Sequence, residues 1–413
     1  MDMEKILLKD IDKVNLNNIN VYAESGGYET LKKVLNMNPE TIIEEIKKSK
    51  LVGRGGAAFP TGLKWEFVRK EKDAPKFLIC NADEGEPGTF KDRILLRNNP
   101  HLLLEAMLIA GYAIGANKGI IYIRGEYFAE IEKLKRAIEE AKIKGYLAKD
   151  ILGANFSYGI EIHCGAGAYV CGEETSLLES LEGARGCSRE KPPFPTHSGF
   201  MGKPTLINNV ETLCNVPAIL KNGGDWYSKI GSPDSPGTKL FCLCGHINKP
   251  GVYELPMGIT LGELIEKYGG GVKGEFKAAL PGGVSSSLLT DLDVQLDYKN
   301  VTNAGSMLGS GSIIVINKET SVVSAMENCL EFFTHESCGL CVPCREGTKR
   351  AKEMLTRIAS GKGQKKDLDA LLELSEVMPD TARCGLGQAA MNAASSAIKL
   401  FKEEFQNLRN NSV

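Results

Sequence analysis

KFLICNAD, residues 76–83, is an apolar run that stops at Asn81 and Asp83. A short continuous apolar run ending at polar residues reads as a strand buried on both faces. GIIYIRGEY (119–127) repeats the pattern, and between the two Pro100 opens HLLLEAMLIAGYAIG; proline suits a first helical turn. After the second run, Phe128, Ile131, Leu134, Ile138 and Ala141 fall at helical spacing. Strands alternating with helices predict an α/β fold with an open, largely parallel sheet, whose ligand loops lie at the carboxyl ends of the strands.

Upstream, TIIEEIKKSK (41–50) reads as an amphipathic helix, preceded by a polar lead-in with one short helix candidate, TLKKVLN. Downstream, Pro and Gly gather in REKPPFPTHSGFMGKP (189–204) and in GSPDSPG (231–237), the second read as a domain boundary. KLFCLCGHINKPGVYELP then has hairpin features, TLGELIEKYGGG a short helix with a glycine stop, and GSIIVI a further strand. They predict a small α+β module. The rest reads as helical, with Ala394, Ala397, Ile398, Phe401, Phe405 and Leu408 on one stripe of the last helix. The expected units are a lead-in at 1–40, a ligand-binding domain at 41–236, a small module at 237–318 and a helical domain at 319–413.

The 413 residues carry a net charge of −2, with 50 Lys and Arg against 52 Asp and Glu. That balance predicts neither nucleic acid nor an anionic membrane as a partner. No apolar run approaches the ~18 residues of a membrane span, and MDMEKILLKD has no signal-peptide core. A cytoplasmic protein is expected. Gly supplies 45 residues, concentrated in short motifs, which marks tight turns and close backbone approach to ligands.

Twelve cysteines in such a compartment are not expected to form disulfides. Cys80, Cys164, Cys171, Cys187, Cys214, Cys242, Cys244 and Cys329 have no ligand spacing and read as buried small hydrophobes. The other four are different. Cys338, Cys341 and Cys344 form C-x2-C-x2-C, and Cys384 stands alone downstream. Four thiolates also suit structural zinc, but zinc sites usually pair two separate knuckles. Three in one run plus a distant fourth fit a [4Fe–4S] cluster better.

Three further motifs suggest a cofactor. GRGGAAFPTGLKW (53–65) combines a glycine loop with Arg54 and Lys64, charges that favour a phosphorylated group, while Phe59, Trp65 and Phe67 could stack on flat rings or pack as core. NADEGEPGTFKDR (81–93) places Asp83, Glu84, Glu86 and Asp92 after a strand, where a carboxylate can meet ribose hydroxyls or a flavin edge. GAGAYVCGEET (165–175) puts Glu173 and Glu174 at a helix start, which dipole effects alone would also explain. His163 reads as structural. No Ser-His-Asp order, HExxH or Walker A pattern supports nucleophilic or phosphoryl-transfer chemistry.

With KPPFPTHSG, KPTLINNVETLCNVP, SCGLCVPCREGT and RCGLGQ, these blocks resemble the NADH-oxidising flavoprotein subunit of respiratory complex I. They also resemble its relatives in NAD-linked hydrogenases, formate dehydrogenases and electron-bifurcating reductases. The resemblance spans about residues 45–413. It implies FMN in a Rossmann-like domain, a ubiquitin-like β-grasp module and a C-terminal helical bundle carrying a [4Fe–4S] cluster. By motif position, FMN contacts fall on Gly53, Arg54, Gly55, Lys64, Asn81, Asp83, Glu84, Tyr169, Gly172, Glu173, Asn208 and Asn209. NAD(H) would meet Phe59, Phe67, Glu86, Glu174, Lys191 and Phe194, with Glu86 and Glu174 the catalytic candidates and Glu86 favouring NAD over NADP. The cluster ligands would be Cys338, Cys341, Cys344 and Cys384.

The resemblance implies hydride exchange between NAD(H) and FMN, then single electrons to the cluster. Lys64 and Arg54 would favour the anionic reduced flavin. Ala58 departs from the family, which often has Gly there. The chain has room for neither an extra ferredoxin-like domain before Gly53 nor further clusters after Cys384. A bare core is expected, handing electrons to a small [2Fe–2S] thioredoxin-like subunit and a larger catalytic or iron–sulfur subunit. The alternatives are an electron-bifurcating subunit working with ferredoxin, a scaffold without turnover, and a zinc-bound binding module.

Overall fold

The run at 77–82 is an inner strand of a four-stranded, wholly parallel sheet. In this computed structural model, residues 5–9, 11–12 and 14–405 are described. The strands are β1 (Phe77–Ala82), β2 (Lys118–Arg124), β3 (Gly159–Gly165) and β4 (Thr205–Asn209), in the order β3-β2-β1-β4. The chain steps outward from β1 to β3 and then returns to the far side of β1. The order therefore reverses between β1 and β4, and a crevice opens at their carboxyl ends. Asn81 pairs in register with Asn209 there.

Helices α1 (Pro39–Lys48), α2 (Thr61–Lys70), α3 (Pro100–Ile114) and α4 (Phe128–Ile143) pack around this sheet, and α5 (Glu174–Leu181) follows β3. Asn99 caps α3 by accepting from Leu102 N–H, and Pro100 takes the first helical turn as expected. Leu103, Leu104, Ala106, Met107, Leu108, Ile109 and Ala110 are all buried, so α3 is apolar on nearly every side and sits inside the core. The lead-in differs from expectation. It forms two short helices, Ile19–Glu24 and Glu29–Val34. Leu7, Leu16, Ile19, Tyr22 and Tyr28 are buried in the same core, so this segment is built into the sheet domain.

The second sheet joins β5 (Thr238–Gly245), β6 (Gly251–Pro256), β7 (Phe276–Val284) and β8 (Ser312–Asn317), in the order β6-β5-β8-β7. β5 pairs antiparallel with β6, as the hairpin reading expects, and parallel with β8. GSPDSPG folds into a two-residue antiparallel pair just before β5. The rest is helical: α6 (Val322–Glu336), α7 (Val342–Ala359), α8 (Lys365–Thr381) and α9 (Asn392–Leu400). The last helix is shorter than its apolar stripe. Phe401 leaves helical geometry at φ −123°, ψ 43°, Phe405 is buried beyond the break, and Leu408 lies outside the described residues. No described helix is long and apolar enough to cross a membrane.

Candidate functional site

Two adjoining cavities open at the crevice between β1 and β4. The inner one, of about 350 Å³, is lined by Asn81, Asp83, Lys91, Tyr169 and Asn209. The outer one, of about 870 Å³, is lined by Gly53, Phe59, Lys64, Glu174, Lys191 and Phe194. Gly55, Gly56, Asn81, Gly172, Glu173 and Asn209 belong to both, so the two form one cleft. Volumes of this size suit a cofactor and a nucleotide.

The glycine loop closes on itself through Gly53 N–H to the Phe59 carbonyl, at 2.9 Å. A Cβ on Gly55 would stand 3.1 Å from Asn209 Cβ, so the loop backbone lies tight against the end of β4. Ala58 sits at φ +52°, in the left-handed region. An L side chain is strained in that conformation, so the position suits glycine.

Asn81 donates to the Gly172 carbonyl at 2.9 Å, tying the end of β1 to the loop before α5. Asn209 caps the next helix and donates to Asp92 at 2.6 Å. Asn208 accepts the Trp65 indole N–H at 2.9 Å, and Trp65 is core. Asp83 presents a buried Oδ2 with no partner beside the inner cavity. Burial pushes its carboxyl up to about 7, against the pull of Arg124. An orphaned acceptor of this kind fits the hydroxyl and N–H donors of a flavin.

In the outer cavity, Lys64 bonds Glu174 at 2.7 Å, and Lys191 bonds Glu173 at 2.7 Å and Glu174 at 3.1 Å. Burial pushes the Glu174 carboxyl up, but Lys64 and Lys191 outweigh it and hold the group below its ordinary value. Glu173 caps α5, accepting from Thr175 and Ser176 N–H. Phe59, Phe67 and Phe194 are 45%, 42% and 54% exposed and line this cavity together. Large exposed rings around a cleft fit a planar ligand. His163 stacks on Tyr122, in keeping with a structural role.

Three expectations need correction. The Arg54 guanidinium lines neither cavity. It is fully buried and donates to the Pro236 carbonyl at 2.6 Å and to Tyr227 at 3.4 Å, while its backbone N–H donates to Thr212 Oγ1 at 2.8 Å. Lys64 lines the outer cavity paired to Glu174 at 2.7 Å. Glu84 lines the inner cavity, but its carboxylate is already engaged, accepting from Asp92 N–H, Arg93 N–H and Tyr127 O–H at the start of the helix that follows. The Glu86 carboxylate lines the inner cavity but already accepts from Tyr169 O–H at 2.6 Å and from Ser285 N–H and O–H. It latches the second sheet's loop to the first domain, which is not the free acid a ribose would need.

The sequence reading missed other wall residues. Lys91 lines the inner cavity and is fully buried between Asp92, at 2.7 Å, and Glu211, at 2.9 Å. Gly282 on β7, with Ser285, Met307 and Ser310 on loops of the second sheet, completes the inner cavity. Nothing local in those loops signals a ligand; only the tertiary packing brings them there.

Cys338, Cys341, Cys344 and Cys384 share one small cavity with Val170, Ser188 and Leu386. Among the described residues no group of His, Cys, Asp and Glu converges tightly enough to grip a lone metal ion. Four cysteines lining one cavity, three of them from a single C-x2-C-x2-C run, fit a [4Fe–4S] cluster. Backbone N–H groups of Leu386 and Gly387 point at the Cys384 sulfur. Val170 and Leu386 also wall the inner cavity, and Cys384 the outer one. Of the remaining cysteines, Cys164 is exposed, Cys244 half-buried and Cys187 half-buried against Cys338, contrary to their reading as core.

Residues 46–218 match the Nuo51 FMN-binding domain, 240–279 the SLBB domain, and 324–408 the NADH-ubiquinone oxidoreductase-F iron-sulfur binding region. The chain is 48% identical to the F 2 subunit of NADH-quinone oxidoreductase from Rhizobium meliloti, over 97% of each chain. The chain belongs to the F-subunit family of NADH-quinone oxidoreductases. It is also 47% identical to the HndC subunit of the NADP-reducing hydrogenase of Solidesulfovibrio fructosivorans, over 97% of this chain and 83% of that one. Among solved structures, an NAD+-reducing [NiFe]-hydrogenase in the H2-reduced state superposes with a TM-score of 0.86 at 37% identity, covering 98% of this chain and 67% of the other. As a member of this family, the chain is an NADH-oxidising FMN flavoprotein with a [4Fe–4S] region, and works as one component of a larger complex. The zinc-module and inactive-scaffold alternatives fall with this assignment.

Proposed function

We propose that FMN occupies the crevice between β1 and β4, that NAD(H) enters from the outer cavity, and that Cys338, Cys341, Cys344 and Cys384 ligate the cluster. The observation that carries this reading is the set of shared walls: Val170, Cys384 and Leu386 each border the cysteine cavity and one part of the cleft. One layer of protein therefore separates the two cofactor positions. When bound, FMN accepts a hydride from NADH and releases electrons singly, and the cluster receives them one at a time.

The chain's own residues bind and orient. Gly53, Gly55 and Gly172 let backbone approach the flavin, Asn81 and Asn209 brace the two strand ends beneath it, and Asp83 offers the unpartnered acceptor. Tyr169 packs beside Phe332 with its hydroxyl held by Glu86. Phe59, Phe67 and Phe194 form the aromatic rim for adenine, and Lys64, Glu174 and Lys191 present charge that a nucleotide can re-pair with. No side chain is required as acid or base at the hydride step; position and electrostatics suffice. NAD specificity is not assigned to Glu86, because its carboxylate is already engaged.

The unit boundaries we propose are 41–236 for the FMN domain, with the lead-in at 1–40 adding its buried residues to that domain's core, 237–318 for a β-grasp module and 319–413 for a helical [4Fe–4S] domain. The mixed order of the second sheet supports the β-grasp reading, and its loops at the inner cavity give the module a role as a wall of the flavin site. A small [2Fe–2S] thioredoxin-like subunit and a larger iron–sulfur or catalytic subunit are the partners this arrangement would serve. All twelve cysteines are free, which suits a cytoplasmic setting. The matched relatives are named for quinone and hydrogenase chemistry, so plain NADH dehydrogenation is retained over bifurcation.

Iron, sulfide and flavin analysis of the anaerobically purified chain tests the assignment. Wild type is expected to hold ~4 iron per chain, and Cys384→Ser to lose cluster while keeping flavin. Bound zinc in place of iron would refute it.

A further inference from the structure

Arg383 precedes Cys384 and, among the described residues, is the one arginine that lines both the cysteine cavity and the outer cavity. Its side chain is 32% exposed and meets a single acid, Glu190, at 3.5 Å; Glu190 is itself 85% exposed. Its neighbour in the outer wall, Arg189, is fully committed by contrast, donating to Glu179, Glu182 and the Gly199 carbonyl. Lys64 and Lys191 are held by Glu174 and Glu173 at 3.1 Å or less. Arg383 is thus the least engaged cation of the outer cavity. A loosely held guanidinium facing a nucleotide cleft is suited to a bidentate contact with phosphate. A fixed positive charge beside a cluster ligand stabilises the reduced, more negative cluster, since net charge around the iron and sulfide helps set its potential.

Resting on the cofactor placement above, we propose that Arg383 is a positioning residue shared by the two sites: it binds the phosphate of the nicotinamide nucleotide and raises the reduction potential of the cluster. Glu190 competes for the same guanidinium and opposes both effects. Neither role follows from the cysteine spacing or from the glycine loop. Both come from the fold placing the turn before Cys384 against the Ser188–Lys191 segment.

The test measures two equilibria on the loaded protein: NAD+ affinity of the oxidised form by titration calorimetry, and the cluster midpoint by EPR-monitored redox titration. Arg383→Gln is expected to weaken NAD+ binding about tenfold, the loss of roughly one charge-assisted hydrogen bond, and to lower the midpoint. Arg383→Lys should retain part of both. Glu190→Gln should shift both the other way, and it carries the test should Arg383→Gln fail to hold a cluster. Wild-type affinity and midpoint in Arg383→Gln, with flavin and iron contents unchanged, would overturn the proposal. A wild type that neither binds NAD+ nor shows a reducible cluster would overturn the cofactor placement, and this inference with it.

Discussion

Ala58 and Asp83 show what the cleft asks of single residues. Ala58 holds φ +52°, where an L residue is strained by roughly 1–2 kcal/mol. Ala58→Gly relieves that strain but loosens the unfolded chain, which offsets about 0.4–1 kcal/mol. The net expectation is a stabilisation of up to about 1.6 kcal/mol, read as a higher unfolding temperature; a lower one would contradict the strain argument. Asp83 carries the opposite kind of cost. Its folded carboxyl is raised by burial to about 7, above the ordinary 3.8, so the native state binds the proton more tightly than the unfolded one. Stability from this group is therefore present below pH ~4 and declines as pH rises toward 7. Asp83→Asn should melt like wild type near pH 4 and higher than wild type at pH 8. Equal melting at both pH values would show that Oδ2 is solvated.

At the scale of elements, how much was legible depended on whether a signal was local. The β1 run, Pro100, the hairpin at β5 and β6, and the cysteine spacing are each written within a few residues, and the structure forms strand, helix, hairpin and thiol cluster there. The glycine loop was also legible, but the direction of its arginine was not. Arg54 turns inward because Tyr227 and the Pro236 carbonyl accept it, and both lie far along the chain. Glu86 was misread for the same reason: its partner Ser285 is 199 residues away. The lead-in looked polar because its buried residues are scattered. Its anchor is Glu254 on β6, whose carboxylate accepts the N–H groups of Ile6, Leu7 and Leu8 at 2.7–3.0 Å. Glu254→Ala leaves those donors without their acceptor. The expected cost is about 1–3 kcal/mol, with new protease cleavage near the N-terminus before any elsewhere. An unchanged digestion pattern would mean that Leu7 and Leu8 hold the segment by packing alone.

Across the whole molecule, three units meet around one cleft. The parallel sheet supplies the crevice, the second sheet closes its inner end through Gly282, Ser285 and Ser310, and the helical unit brings Cys384 and Leu386 to its wall. Buried charge joins the first two: Glu211 takes Lys91 from the sheet domain at 2.9 Å and Lys239 from β5 at 2.6 Å. Lys91 and Lys239 hold the Glu211 carboxyl below its ordinary value, even though burial pushes it up. Replacing one member of such a buried set strands the others without compensation. The cleft is thus a product of the assembled chain. That is why its inner wall was invisible to motif reading, while its rim, carried on single loops, was not.

The central claim is that one chain takes a hydride at the cleft and passes single electrons across the Cys384–Leu386 wall. The most direct measurement is anaerobic addition of NADH to the purified, loaded chain without partners, following the flavin absorption band and the cluster EPR signal together. The account predicts that the flavin band bleaches and that a reduced [4Fe–4S] signal rises within the same chain. Bleaching of the flavin with a cluster that dithionite reduces but NADH does not would contradict it.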